Sequence, residues 1–306
     1  SQGDITNCST TQSFADGVFL TGSNNITVTG HVNNNVDDDS FTSISYLTSS
    51  VSIDNSFKNC RSINGFGALC CFYGSSRTSI ENSTLTNNHY TPLKLGAHNP
   101  YNINGYYQSV KNCSITSAET IDTYTENQLN IIEGIDSNNK AQKIIVENTN
   151  ITINDTSNPN LIIRCVNANQ TILQNIEINK EINITNCNNT MLLNSIFNNL
   201  TLSNTARTTI SQNTTSNILI SDTTRTNISN NTFTQQTPLQ FINTNSNTKT
   251  DNNNLTNKGN QHFITTTETT LPSNVPHSAF TVGTILHSAN KLIYVTSTGF
   301  NIIATD

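Results

Sequence analysis

Four aspartates near the start of the chain have the type and spacing that acid–base chemistry needs. Asp16 stands alone, and Asp37, Asp38 and Asp39 follow in a row at the far end of what looks like a single structural repeat. Only 11% of the 306 residues are charged, so this concentration of acid is unusual in the chain. Carboxyl groups that folding brings together repel one another, and at least one pKa then rises. Such a group suits the hydrolysis of a glycosidic bond, whereas a surface Asx turn or a cation site is the alternative interpretation.

A short motif recurs along the chain, and its spacing is typical of a solenoid. It consists of an apolar residue, any residue, and then Asn or a small substitute. Its nine copies begin at Ile5, Val28, Phe57, Ile80, Val110, Val146, Leu173, Phe197 and Ile220. Short strands at this period predict an all-β, right-handed parallel β-helix of about nine or ten coils. The recurring Asn predicts a ladder of stacked amides at one turn, which a β-sandwich, with its shorter interval between turns, does not explain.

If one repeat makes one coil, folding brings the acids into contact. Asp16, Asp38, Phe66 and Lys94 follow one another at intervals of about one repeat. In a solenoid, side chains one coil apart are vertical neighbours at roughly 4.8 Å. The sequence therefore predicts that these four residues share one face of successive coils.

The segments around these residues resemble the polygalacturonase family of glycoside hydrolases. FADG (14–17), VDDDSFTS (36–43), INGFGALCCFYGS (63–75) and TSIENSTLTNNHYTPLKL (78–95) occur in the order of four family motifs. Those motifs are Asn-Thr-Asp-Gly, Gly/Gln-Asp-Asp, Gly-His-Gly with its following strand, and the segment that ends in Arg-Ile-Lys. The resemblance covers about residues 5–115, and it implies the pectin-lyase type of β-helix and an inverting hydrolase.

The resemblance also implies a role for each matching residue. Asp37 would be the general acid that protonates the leaving oxygen, while Asp16 and Asp38 would hold and activate the attacking water. The carboxyl groups of such an enzyme are spaced widely enough for that water. Lys94 would contact an acidic or polar substituent of the sugar, and Asp39 is a further candidate for substrate binding.

Three positions depart from the family motifs. Phe14-Ala15 replaces Asn-Thr, Phe66 stands where the family has His, and Pro92 replaces the Arg. In the family, the His would adjust the pKa of the general acid, and the Arg would bind a carboxylate. We expect Phe66 either to stack on a sugar ring or to pack in the core. His31 and His89 are expected in exposed loops, and His89 is a candidate for substrate binding.

The cysteines are predicted to be structural. Their number, seven, is odd, which argues against a complete disulfide framework. Cys8, Cys60 and Cys113 share one position of the repeat but lie two coils apart, so we expect small buried thiols. Cys165 and Cys187 lie one coil apart, and a disulfide between them is left open.

The chain is expected to have three parts. Residues 1–264 form the β-helix, 265–278 form a Thr-rich linker with two prolines, and 279–306 form a small β segment. Strands are predicted at 282–287, 292–296 and 300–304. This segment is too small to bury its own core, so it should pack on the end of the helix or against copies of itself.

The whole arrangement is similar to bacteriophage tailspikes, which are homotrimers with a β-helix and a small β tail. This similarity implies an extracellular protein of the virion tail, in contact with other tail proteins, that binds and hydrolyses a polysaccharide on the host surface. A non-catalytic glycan-binding or structural spike of the same fold is the alternative. A secreted plant-wall-degrading enzyme would keep the His and the Arg.

Composition argues against several other classes of partner. The net charge is −6 and no basic stripe is present, which disfavours nucleic acid. No apolar run is long enough to span a bilayer, which disfavours membrane insertion. No motif calls for a cofactor or a metal ion.

Overall fold

The computed structural model describes twelve segments of the chain, almost all of them β-structure. They are residues 2–88, 91–117, 128–133, 141–154, 162–234, 239–242, 249–251, 253–255, 263–266, 285–288, 291–295 and 300–305. Within these segments the helical structure is one 3-10 turn, Asn99–Tyr101. No helix in the described part of the chain has the length and apolar character to cross a membrane. The chain divides into two compact units, Ser1–Lys180 and Glu181–Asp306.

In the first unit, each coil contributes one strand to each of three parallel sheets. Sheet 1 contains Gly3–Thr6, Ile26–Thr29, Ser56–Lys58, Ser76–Glu81, Tyr106–Lys111, Ala141–Glu147, Ala168–Asn169 and Ile172–Gln174. Sheet 2 contains Ser9–Ser13, Val32–Val36, Arg61–Ile63, Thr84–Asn88, Ser114–Ser117, Asn150–Ile153 and Glu177–Ile178. Sheet 3 contains Val18–Thr21, Phe41–Ile44, Cys70–Tyr73, Leu93–Gly96, Gln128–Glu133 and Ile162–Val166.

The second unit repeats the three-sheet pattern. Sheet 1 contains Met191–Leu193, Thr209–Ser211, Asn227–Ser229 and Lys249–Asp251. Sheet 2 contains Ile196–Phe197, Thr214–Thr215, Thr232–Phe233 and Asn254–Leu255. Sheet 3 contains Glu181–Thr185, Asn199–Ser203, Asn217–Ser221, Leu239–Ile242, Phe263–Thr266, Ile285–Ser288, Lys291–Val295 and Phe300–Thr305.

The sheets confirm the right-handed parallel β-helix that the repeat predicts. Successive coils pair strand on strand in parallel within each unit. Burial alternates along the strands, as Ile26–Thr29 illustrates, because every second side chain enters the solenoid. In the first unit Phe41, Phe57 and Phe72 stack in this core, with ring centroids 5.6 and 5.7 Å apart.

The predicted Asn ladder is present after sheet 1 of the first unit. The side chain of Asn112 donates a hydrogen bond to that of Asn82 at 3.1 Å, and the contact recurs from Asn148 to Asn112 at 3.0 Å and from Asn175 to Asn148 at 2.8 Å. These residues adopt a left-handed backbone, with φ between 49° and 52°. Asn tolerates that conformation better than most residues, so the ladder marks the turn of each coil.

The last two copies of the motif do not belong to this ladder. Phe197 lies in sheet 2 and Ile220 in sheet 3, whereas the first seven copies begin in sheet 1. The reason is that the coils become shorter in the second unit, where Met191 pairs with Thr209, and Thr209 with Asn227. The longer step of the first unit therefore reaches a different sheet there.

The cysteine predictions are confirmed in part. Cys60 and Cys113 are buried thiols, but Cys8 is exposed. The turn of Cys8 belongs to the first described coil, so no described coil covers it from the preceding side. Cys165 and Cys187 are buried, and neither forms a disulfide.

The C-terminal strands extend sheet 3 of the second unit. Ile285–Ser288 pairs in parallel with Phe263–Thr266, and Lys291–Val295 and Phe300–Thr305 follow as antiparallel strands. The predicted strands are therefore present within a few residues of their expected positions. The predicted linker at 265–278 lies mostly outside the described residues, and its first two residues belong to a strand.

Candidate functional site

Two stacked turns of the first unit carry the acids. Asp16 lies in the turn between sheets 2 and 3 of the first coil, and Asp38 and Asp39 lie in the same turn of the second coil. Backbone hydrogen bonds hold the two turns together, since the amide of Gly17 donates to the carbonyl of Asp39 at 3.0 Å. The stacking therefore follows from the pairing of the neighbouring strands.

Asp16, Asp38 and Asp39 form a compact group that we call the carboxylate trio. One oxygen of each side chain lies within 4.8 Å of an oxygen of the other two. The amide of Asp39 also donates to Oδ1 of Asp16 at 3.2 Å. Asp39 is buried, Asp16 is half-buried and Asp38 is exposed, while Asp37 is exposed and is not one of the three. The expected contact between Asp16 and Asp38 is therefore present, with Asp39 as its third member.

Asp39 is fixed by two donors from later coils. The amide of Ala68 donates to its Oδ1 at 2.6 Å, and Nζ of Lys94 approaches the same oxygen at 3.4 Å. The Asp39 and Lys94 side chains are only 11% and 19% exposed, so this ion pair is largely shielded from water. Lys94 thus lies on the expected face, but its ammonium contacts an acid of the protein itself.

A glycine allows the third coil to approach the trio so closely. A Cβ atom on Gly67 would lie 2.5 Å from the carbonyl carbon of Asp38 and 2.7 Å from the amide nitrogen of Asp39. Any larger residue at this position would push the turn away and would break the bond from the Ala68 amide. Gly67 is therefore part of what positions the acids.

Burial and mutual repulsion raise the pKa values of two acids in the trio. Burial, then the negative charges of Asp39 and Asp38, raises the pKa of Asp16 to about 6. Burial and then the charge of Asp39 also raise the pKa of Asp38. Burial lowers the pKa of Lys94, but the charge of Asp39, the hydrogen bond to Asp39 and the charge of Asp38 together outweigh it, so the pKa rises overall and the ammonium form is favoured. The expected rise is confirmed, although burial contributes more to it than repulsion does.

Replacing Asp16 by Asn is expected to stabilise the protein above pH 6. The pKa of Asp16 is about 6 in the folded chain against 3.8 in the unfolded chain, so its contribution to stability is lost as pH rises from 4 to 6. Asn has no charge to lose and keeps the oxygen that accepts the Asp39 amide. Because Asp16 is partly solvated, we expect a gain of about 1–2 kcal/mol at pH 8 and almost none at pH 4.

Urea denaturation of wild type and Asp16→Asn at both pH values measures this difference. Asp37→Asn is the matched control, because Asp37 is exposed in the same turn, and its stability should follow wild type at both values. A gain at pH 8 that is no larger than that of the control would contradict the assigned pKa.

Two phenylalanines stand beside the trio. Phe66 is 50% exposed and Phe14 is 94% exposed. Of the two expectations for Phe66, packing in the core is therefore wrong, and the ring is open to a ligand. The amide of Phe66 donates to the carbonyl of Val36 at 2.8 Å, which places its turn on the coil that carries the acids.

His31 does not replace the missing family His. His31 is 4% exposed, and its ring lies within hydrogen-bond distance of Thr10 and Asn33 and edge-on to Phe41. Burial lowers its pKa. The expectation of an exposed His31 is therefore wrong, because this turn faces the core. His89 lies outside the described residues.

The sequence analysis missed an aromatic cluster on the outer side of sheet 3. Tyr46 and Tyr101 lie in the loops that follow the sheet 3 strands of the second and fourth coils, and their ring centroids are 5.1 Å apart. Phe19 packs on Tyr46 at 6.3 Å, and His98 lies 4.6 Å from Tyr101. The sequence does contain a signal for these loops. The interval between copies of the repeated motif is longer in the second and fourth coils, which carry the loops, than in the third coil.

The trio has the spacing of metal ligands as well as that of an acid–base group. Among the described residues it is the one group of three such side chains within ligand distance. The Lys94 ammonium already opposes one of its charges, which reduces the attraction for a second cation. The arrangement is therefore suited to holding and moving a proton.

The site thus combines carboxyl groups of raised pKa with a shielded ion pair, and perturbed pKa values of this kind are more common at functional sites than elsewhere. Comparison with known protein families, with curated proteins and with solved structures returned no match for this chain.

Proposed function

We propose that the first unit binds a polysaccharide and hydrolyses its glycosidic bonds at the carboxylate trio. The observation that carries this proposal is the contact of Asp16 and Asp38, both with raised pKa values, with the ion-paired Asp39. A glycosidase needs one carboxyl group that holds a proton at the working pH and another that is ionised. The trio supplies both from residues that lie within 4.8 Å of one another.

In this proposal Asp38 is the general acid. It is the exposed member of the trio, so it reaches the leaving oxygen of a glycan that lies on the surface, and its raised pKa favours the protonated form. The resemblance to polygalacturonases implied the pair Asp37 and Asp38. The trio instead favours Asp38 and Asp39, because Asp37 stands outside it.

Asp16 and Asp39 hold the attacking water in this scheme. The water forms a bond to the anomeric carbon as its proton passes to Asp16, while the leaving oxygen takes the proton of Asp38. The trio is more compact than the separation of about 6.5–9.5 Å that is typical of inverting pairs. Inversion of the anomeric configuration therefore rests on the family resemblance alone.

The biological setting is part of the proposal. A β-helix that ends in antiparallel strands on sheet 3 is compatible with a tailspike-like depolymerase. Its substrate would be a polysaccharide of the host surface, and it would act outside the cell as a homotrimer attached to other tail proteins. The trio lies wholly within the first unit.

The proposal is tested by incubating the protein with capsular polysaccharide, lipopolysaccharide and teichoic-acid preparations and measuring new reducing ends. We expect wild type to cleave at least one preparation and Asp16→Asn to lose about 10²–10⁴-fold in rate, since a positioned acid or base contributes this much. The rate should rise as pH rises through about 6, because Asp16 must be ionised to accept the proton of the water, and it should fall again once Asp38 loses its proton. Wild type that cleaves none of them, or cleaves with the rate of Asp16→Asn, would contradict it.

A non-catalytic glycan-binding spike is the second candidate, and Phe66 favours it. An exposed ring stands where the resembling enzymes carry His, and exposed rings bind sugars without any chemistry. In that case the Asp16→Asn variant would bind the same glycan as wild type, and neither would release reducing ends.

A further inference from the structure

The outer side of sheet 3 carries three exposed rings, which we call the aromatic platform: Phe19, Tyr46 and Tyr101. Their exposed fractions are 45%, 38% and 47%. Large apolar side chains normally leave water, and three of them in mutual contact on a surface mark a binding site more often than a single one does. The rings lie within 6.3 Å of their neighbours, so they form one continuous surface.

The platform is built on fixed supports. Nδ1 of His98 lies 2.7 Å from the carbonyl oxygen of Ser45 and donates to it, which ties the loop of Tyr101 to the loop of Tyr46. The ring of His98 packs on Tyr101 at 4.6 Å and on Tyr46 at 5.2 Å, and Tyr73 lies beneath it at 5.9 Å. Rings held in place lose little freedom when a ligand binds, which favours affinity.

The platform and the trio occupy the same face of the same coils. Phe19 is in register with Thr42, the next outward-facing position, and the same column continues to Cys71 and Lys94. Burial, and then the negative charge of Asp16, raise the pKa of Tyr46, so the charge of the trio acts on this ring. A chain molecule bound at the trio would therefore pass over the platform.

The charge of the face decides which sugars fit. Asp16, Asp37, Asp38 and Asp39 lie here, and among the described residues that contact the trio the one cation is Lys94, whose charge is directed at Asp39. A carboxylate on the sugar would meet uncompensated negative charge, which costs affinity. An uncharged pyranose offers an apolar CH face to a ring and hydroxyl donors to carboxylates, so both parts of the surface are complementary to it.

We propose that the aromatic platform is a binding subsite for uncharged pyranose rings, and that the glycan recognised here is neutral where it crosses the trio and not a polyuronate. This inference rests on the proposed glycan binding and adds its substrate class. It also reverses the specificity that the family resemblance alone would imply, since the resembling enzymes act on acidic sugars.

The test uses an array of defined oligosaccharides that contains a neutral hexopyranose series, oligogalacturonates and other uronate series. The full chain carrying Asp16→Asn is the probe. Hits are titrated by calorimetry. We expect binding to neutral members, and a loss of about tenfold when Tyr46→Ala or Tyr101→Ala is added. Tyr107→Ala is the matched control, because Tyr107 is 42% exposed but lies in sheet 1, and it should bind unchanged.

The outcomes separate this inference from the proposed hydrolysis. Three results would overturn the proposed binding subsite, even if wild type cleaves a glycan. They are stronger binding to uronates, no binding to any member of the array, and unchanged binding in both folded tyrosine variants. Conversely, neutral binding that needs both tyrosines, with no cleavage by wild type, would support the platform and overturn hydrolysis. Thermal unfolding of each variant confirms that the loops remain folded, and Tyr101→Phe, which keeps the ring, should restore binding.

Discussion

Asp38→Asn is expected to lower the rate of glycan hydrolysis by about 10³-fold, whereas Asp37→Asn should stay within about threefold of wild type. The two substitutions are chemically identical and affect adjacent residues of one turn. They differ in one respect: Asp38 belongs to the carboxylate trio, and Asp37 is exposed outside it. The comparison therefore asks which aspartate donates the proton.

The expected loss follows from the position of Asp38. Its carboxyl group has a raised pKa and meets solvent, so it is the member of the trio that can give a proton to a leaving oxygen. Asn cannot give that proton, although it keeps nearly the same shape and a hydrogen-bonding oxygen. Binding should therefore survive, and the loss should appear in kcat with KM nearly unchanged.

The opposite result is equally informative. If Asp37→Asn also loses about 10³-fold in rate, Asp37 donates the proton, as the family resemblance implies, and the general acid lies outside the trio. A substrate whose leaving group needs no proton, such as a dinitrophenyl glycoside, provides a further check. The Asp38→Asn variant should regain most of its rate on that substrate, because only the donation step is removed.

Much of the fold was predictable from the sequence because the repeat is a consequence of strand stacking. An Asn at coil-length intervals identified the ladder from Asn82 to Asn175, since a left-handed turn favours that residue. The same logic failed in the second unit, where the coils are shorter. A period measured in long coils does not carry over to short ones.

The candidate site was predictable to the level of the coil but not of the individual residue. Each of Asp37, Asp38 and Asp39 has a spacing that places it one coil above Asp16, and only the conformation of the turn selects among the three. The amide of Asp37 still donates a hydrogen bond to the carbonyl of Ser13 in sheet 2, and Asp37 is exposed, whereas Asp38 and Asp39 come together with Asp16. Turn conformation depends on close contacts between neighbouring coils, such as the approach of Gly67 to Asp38 and Asp39. The sequence pattern does not reveal these contacts.

Lys94→Met is expected to destabilise the protein by about 3 kcal/mol. The substitution keeps the length of the apolar stem but removes the ammonium that faces the buried Asp39 carboxylate. Asp39 then keeps two neutral donors, the Ala68 amide and the Cys71 thiol, and no cation, so its charged form becomes costly.

Lys111→Met is the matched control for this substitution. Lys111 pairs with Glu147 at 3.7 Å in the same unit, but the two side chains are 37% and 32% exposed. Water screens such a pair, and its removal should cost at most about 1 kcal/mol with little dependence on pH. Equal losses for the two lysine variants in urea denaturation would show that the Lys94–Asp39 pair is not shielded.

A double-mutant cycle then connects stability to chemistry. Asp39→Asn combined with Lys94→Met should be more stable than the sum of the single losses predicts, by about 1–3 kcal/mol, because no buried charge is left unpaired. The single Lys94→Met variant should also keep activity to a higher pH, since removal of the cation lets the trio hold its proton more tightly. A variant that is destabilised but keeps the wild-type pH profile would mean that Lys94 supports the fold and does not change the pKa values of the acids. The role of Asp39 in holding the water would then need another basis.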